Sequence, residues 1–159
     1  MTARTWDPEV AMAKISELQS LPGALLPILN ALQDEFGYVD DAAVPLIAEA
    51  LNVSRAEVVG VVYFYHDYRH APPGRHLLKV CRAEACQAMG SESLAEYLQG
   101  RLGVAMGETT IDGSITTENV YCLGNCALSP AVMLDGDLYG RVSNESADRL
   151  IHDARRNGA

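Results

Sequence analysis

The chain has four cysteines, in two close pairs: four residues separate Cys81 from Cys86, and three separate Cys122 from Cys126. Thiols in this pattern can bind a metal, exchange electrons as a dithiol, or sit inert in a core. A tetrathiolate centre needs four sulfurs on backbone loops, and here no sulfur is left over. An iron–sulfur cluster also needs backbone that bends around its inorganic sulfides and aims N–H groups at them. Arg82-Ala83-Glu84-Ala85 is long enough to wrap one iron, and Leu123-Gly124-Asn125 contains a glycine suited to a left-handed turn. Structural zinc takes the same ligands, usually on a two-residue knuckle. Neither pair has that spacing, which also argues against a thioredoxin-type dithiol. Spacing ranks a cluster first, zinc second, and redox or inert cysteines last, with all three open.

Each cysteine pair follows a strand-like segment, His76 to Val80 before the first and Thr116 to Tyr121 before the second. The helix after Ser91 turns Leu94, Leu98 and Leu102 inward and stops at Gly103. Asp112-Gly113 is a hairpin signal between Thr109–Ile111 and Ser114–Thr116, and Asp135-Gly136 joins Ala131–Leu134 to Leu138–Val142. A last helix starts near Ser143 or Asn144, buries Ala147, Leu150, Ile151 and Ala154, and ends at Gly158. This order predicts a small mixed sheet flanked by helices, with the cysteine pairs leaving two strand ends.

The first 70 or so residues read as four short amphipathic helices. Asp7-Pro8 is an N-cap followed by proline in the first turn, with Ala11, Ile15 and Leu18 on one face. Leu25, Ile28, Leu29, Leu32 and Phe36 form an apolar stripe closed by Gly37. Asp40 or Asp41 is expected to cap a third helix burying Val44, Ile47, Ala48 and Leu51. Ser54 and Glu57 spell a capping box for a fourth, with Val58, Val61, Val62 and Tyr65 inward. Pro72-Pro73-Gly74 ends the helical period. The fold class is therefore α+β, with a helical lobe over 1–72 and a mixed-sheet domain over 73–159.

At 159 residues, 48% apolar and 21% charged, the composition is that of an ordinary globular protein. No apolar run approaches the roughly 20 residues of a membrane span. The N-terminal segment Met1–Pro8 lacks an apolar signal core, so the chain is expected in the cytoplasm, where thiols stay reduced. A formal charge of −9 disfavours nucleic acid as a partner. The sequence shows no glycine-rich phosphate loop and no Ser/His/Asp or paired-carboxylate set, so no catalytic residue and no bound NAD or FMN are expected on this chain.

Cys81-Arg82-Ala83-Glu84-Ala85-Cys86-Gln87-Ala88-Met89-Gly90 and the later Tyr121-Cys122-Leu123-Gly124-Asn125-Cys126-Ala127-Leu128-Ser129-Pro130-Ala131-Val132-Met133 resemble the thioredoxin-like [2Fe-2S] ferredoxin family. Upstream, Pro22–Leu29, Phe36-Gly37-Tyr38 and Tyr63-Phe64-Tyr65 resemble the helical lobe of diaphorase-type small subunits. Such subunits accompany the flavin- and NADH-binding subunit of respiratory complex I, NAD-reducing hydrogenases and NAD-dependent formate dehydrogenases. Arg69–His76 and Cys81–Cys86 look most like the gamma subunit of soluble molybdenum formate dehydrogenase. The resemblance implies a thioredoxin-like domain in which Cys81, Cys86, Cys122 and Cys126 ligate one [2Fe-2S] cluster, one pair per iron. It implies an electron-transfer subunit without catalytic residues. The implied partners are a flavin- and NADH-binding Fe-S subunit and a molybdenum-containing catalytic subunit, with no direct membrane insertion. The same resemblance admits the complex I or hydrogenase subunit, and the ligand set alone admits a zinc-stabilised interaction module.

Several other residues have plainer readings. His66 and His70 stand four apart but lack a third ligand, which makes them surface or contact residues. Tyr63, Phe64, Tyr65 and Tyr68 form an aromatic end to the helical lobe, either core or partner contact. Met89 packs beside the first cysteine loop, Arg75, Lys79 and Arg82 are the positive charges nearest it, and Pro130 resembles the cis proline of thioredoxin-like folds.

Overall fold

The computed structural model describes residues 5–157. Met1–Arg4 and the helix stop expected at Gly158 lie outside the described residues. The chain divides into two compact units at Pro72 and Pro73.

The first unit contains α1 (Pro8–Leu18), α2 (Leu25–Phe36), α3 (Ala43–Leu51) and α4 (Arg55–Phe64). Asp7 caps α1 by accepting from the Glu9 and Val10 amides. The α2 stripe forms the centre of this unit, with Ile28, Leu29, Leu32 and Phe36 fully buried. Gly37 at φ 83° ends α2 where a side chain would be strained. The capping box of α4 is present, since Glu57 N–H donates to Ser54 Oγ and Ser54 N–H to Glu57 Oε2.

Two helical expectations need correction. The N-cap of α3 is Ala42, without a side-chain cap, because Asp40 caps the preceding turn by accepting from the Ala42 amide. Tyr65 is not inward: α4 ends at Phe64, the chain turns extended, and Tyr65 is 43% exposed. Tyr68 takes the buried place, its hydroxyl donating to Asn30 Oδ1 at 2.9 Å. Tyr63 and Phe64 are exposed.

The second unit contains β1 (His76–Cys81), α5 (Glu84–Ala88), α6 (Ser91–Leu102), β2 (Ile115–Val120), β3 (Val132–Leu134), β4 (Asp137–Tyr139) and α7 (Asn144–Asn157). The sheet order is β2-β1-β3-β4. β1 and β2 are parallel, while β3 is antiparallel to both β1 and β4. The core gathers Leu78 and Val80 of β1, Ile115 of β2 and Val132 of β3 with Leu94, Leu98 and Leu102 of α6 and Ala147 and Ile151 of α7. Burial of these apolar faces is the main favourable term in forming this unit.

The hairpin expected at Asp112-Gly113 shrinks to one bridge, Thr109 to Thr116. Ile111 is fully exposed, because Thr110, Asp112 and Ser114 hydrogen-bond one another as a tight turn instead of laddering. The helix α5, inside the first cysteine loop, is five residues long and gave no periodic signal. The Asp135-Gly136 hairpin is as expected, with a shorter second strand. Among the described residues no helix is long and apolar enough to cross a membrane.

Candidate metal centre

The parallel register of β1 and β2 pairs Cys81 with Val120, so both strands end at the same edge of the sheet. The first cysteine loop leaves from Cys81 and the second from Tyr121, side by side. Arg82 N–H donates to the Val120 carbonyl at 2.7 Å and extends the ladder one step beyond the strands. β3 starts from this edge, and the Ala131 carbonyl accepts from Cys81 N–H at 3.1 Å. Three backbone segments therefore meet where the cysteines are, and the topology brings together all four thiols singled out in the sequence.

Within each pair the two thiols lie close enough to shift each other's ionisation, Cys81 with Cys86 and Cys126 with Cys122. The pairs face each other closely enough that Cys86 electrostatically perturbs Cys126. Their surroundings differ. Cys81 and Cys86 are each 2% exposed and pack with Ala131, Ala83, Val120 and Leu123, whereas Cys122 and Cys126 are exposed.

Backbone amides converge on the sulfurs. The Gly124 amide donates to Cys122 at 3.3 Å, and the amides of Ala83 and Leu123 beside Cys81 and of Ala131 beside Cys86 are near enough to favour the thiolate forms. Gly124 and the rest of the Cys122–Cys126 backbone, Leu123 included, were legible as donors; Ala83 and Ala131 were not, since alanine advertises no such role. Burial raises the Cys81 thiol above its ordinary value despite its amide donors, and its contact with Cys86 adds to the rise. Burial also opposes ionisation of Cys86, but its contacts with Ser129, Cys81 and the Ala131 amide outweigh it and lower this thiol. The contact with Cys122 raises Cys126. Such donors stabilise sulfur anions, as a thiolate ligand requires.

The second loop is tightly built. Cys122 has φ 148°, a conformation that L side chains rarely adopt, and Gly124 follows at φ 74°. A short 3₁₀ turn over Cys126–Leu128 leads to a cis Ser129–Pro130 bond. The segment 140–142 clamps this turn: Arg141 N–H donates to the Leu128 carbonyl at 2.6 Å and Val142 N–H to the Pro130 carbonyl at 3.0 Å. A Cβ on Gly140 would lie 2.6 Å from Leu128 Cβ, so the clamp closes only around glycine. The first loop is held by Arg82, whose guanidinium donates to both carboxylate oxygens of Glu92 and, at 3.1 Å, to Asn119 Oδ1. Met89 is largely exposed, not packed as expected.

Among the described residues no three histidine, cysteine, aspartate or glutamate side chains converge as ligands of a single ion. Two thiol pairs with amide donors around them suit a binuclear centre better than a mononuclear one. The family model for thioredoxin-like [2Fe-2S] ferredoxins matches residues 11–155. The chain belongs to the thioredoxin-like [2Fe-2S] ferredoxin family. Its cofactor is a [2Fe-2S] cluster.

Relatives of this ferredoxin include an NADH-quinone oxidoreductase subunit from Pseudomonas aeruginosa, 38% identical over 128 residues, which are 80% of this chain and 77% of that protein. The corresponding protein of Escherichia coli K12 is 32% identical over 128 residues, 80% of this chain and 77% of its own length. That of Mycobacterium tuberculosis H37Rv is 36% identical over 132 residues, 83% of this chain but 52% of that protein, so the chain spans about half the mycobacterial relative. A solved NAD+-reducing [NiFe]-hydrogenase, air-oxidized, shares the fold at TM-score 0.72 and 22% identity, over 87% of this chain and 24% of that one.

Proposed function

We propose that Cys81, Cys86, Cys122 and Cys126 hold the [2Fe-2S] cluster, one pair per iron, and that the chain is an electron-transfer subunit of an NAD-linked oxidoreductase complex. The observation that carries this reading is the meeting of two thiol pairs and their amide donors at one sheet edge. When bound, the cluster supplies one-electron chemistry, which lets a flavin partner split a two-electron hydride transfer into single steps. The buried pair and its apolar surroundings exclude water on one side, while the exposed Cys122 and Cys126 offer the route for electrons. The helical lobe over 1–72 and the ferredoxin domain over 73–159 act as separate domains, and the exposed Tyr63 and Phe64 suit contact with a flavin- and NADH-binding subunit. Location in the cytoplasm is part of the same reading.

The wording of Arg69–His76 and Cys81–Cys86 favours a soluble molybdenum formate dehydrogenase as the parent complex. The second reading, a subunit of NADH:quinone oxidoreductase, is favoured by the 38% identical relative. Purification of the native complex separates them. Molybdenum with formate-dependent NAD reduction supports the first, and NADH-dependent quinone reduction without molybdenum supports the second.

A further inference from the structure

Ser129 follows the second cysteine pair yet touches the first. Its Oγ lies 3.4 Å from Cys86 Sγ and donates to the Cys126 carbonyl at 2.8 Å. The residue is 7% exposed, and the backbone on both sides of it is fixed by the bonds from Arg141 and Val142. Solvent therefore competes little for this hydroxyl, and its position costs little further ordering.

A serine hydroxyl carries one proton. An iron-bound cysteine is a thiolate with no proton to give, so a hydrogen bond between Ser129 and Cys86 must run from the hydroxyl to the sulfur. The Cys126 carbonyl competes for that proton. Each ligand pair thus presents one acceptor to a single donor. An added electron increases negative charge on the sulfur ligands and leaves the carbonyl almost unchanged, so the sulfur becomes the better acceptor.

We propose that Ser129 is a redox-responsive positioning residue, whose hydroxyl bridges the two ligand loops and turns towards Cys86 Sγ in the reduced protein. The inference rests on the ligand assignment above. A donor that strengthens on reduction stabilises the reduced state more than the oxidised one and raises the midpoint potential. A simple brace of the 3₁₀ turn would leave the potential alone.

The test uses the full chain with its cluster, as wild type, Ser129→Ala and Ser129→Thr, each analysed for iron and acid-labile sulfide before spectroelectrochemistry. Ser129→Ala is expected to lower the equilibrium constant for one-electron reduction about tenfold, ~59 mV more negative. Ser129→Thr, which keeps the hydroxyl, is expected to hold the wild-type midpoint. An unchanged midpoint in Ser129→Ala, or an equal shift in both variants, overturns the proposal. Should Ser129→Ala fail to retain iron, pulsed EPR on wild type frozen within seconds of transfer to D2O decides. A deuteron coupled to the reduced centre in addition to that of the exposed Gly124 amide, arriving before buried amides exchange, supports it, and no such coupling overturns it. Wild type without iron or labile sulfide would overturn the ligand assignment itself, an outcome distinct from an unchanged midpoint.

Discussion

At the residue scale, the second cysteine loop combines strain with a tight fit. Cys122 at φ 148° occupies a region where only glycine is at ease, and such strain costs on the order of 1–3 kcal/mol. A residue held there is kept for its sulfur. Cys122→Gly and Cys122→Ala both remove the thiol, but only glycine relieves the backbone. In the iron-free protein, Cys122→Gly should be about 1 kcal/mol more stable than Cys122→Ala by urea unfolding, reversing the usual order of the two residues. Equal stability would mean the loop relaxes without cost. Gly140 shows the complementary constraint. Gly140→Ala places a methyl 2.6 Å from Leu128 Cβ and 2.8 Å from Asn125 Nδ2, so it should destabilise by about 1–3 kcal/mol and lower iron per chain. Unchanged iron content and thermal midpoint would refute that. Cys122 was legible in the sequence as a thiol of the site, but its strained backbone and the part played by Gly140 were not. The cysteine spacing was plain, but a close approach between positions 128 and 140 exists only once β3 and β4 have folded back.

At the element scale, what was legible followed from local rules. The α2 stripe, the Asp7 and Ser54 caps and the Asp135-Gly136 hairpin each depend on residues within a turn or two of one another. The misses had both local and tertiary causes. Five-residue α5 is too short to show a period, Tyr65 lost its core place to Tyr68, and the Thr110-Asp112-Ser114 side chains displaced a ladder. Asp148 on α7 is another tertiary feature, accepting from Arg101 Nε at 2.8 Å and from the Tyr97 hydroxyl at 2.7 Å on α6. The bond from Arg101, then that from Tyr97, holds this carboxyl below its ordinary range. A carboxyl lowered by folding contributes stability above its unfolded value, about 3.9 for aspartate, and loses it as pH falls through the depressed folded value. Asp148→Asn should therefore be less stable than wild type near neutrality, with the gap narrowing as pH drops below about 4. Unfolding curves that stay parallel across that range would rule out the contribution.

At the scale of the whole molecule, the −9 charge and the cluster bear on the same quantity. Each electron taken up adds negative charge to an acidic protein, which favours the oxidised form, and the amides at Ala83, Leu123, Ala131 and Gly124 offset only part of this. A negative midpoint potential follows, and a strongly positive one would contradict the electrostatics. The same charge is a poor match for a phosphate backbone. Among the described residues, the unit from Pro73 onward has its own sheet and its own core, and it carries the four thiols together with the amides of Ala83, Leu123, Gly124 and Ala131. The most direct measurement is metal and acid-labile sulfide analysis of anaerobically purified wild-type chain, read beside its visible spectrum. The account predicts a [2Fe-2S] stoichiometry, with two irons and two sulfides per chain, and visible absorbance that bleaches on reduction. Colourless protein with zinc in place of iron, and no labile sulfide, would contradict it.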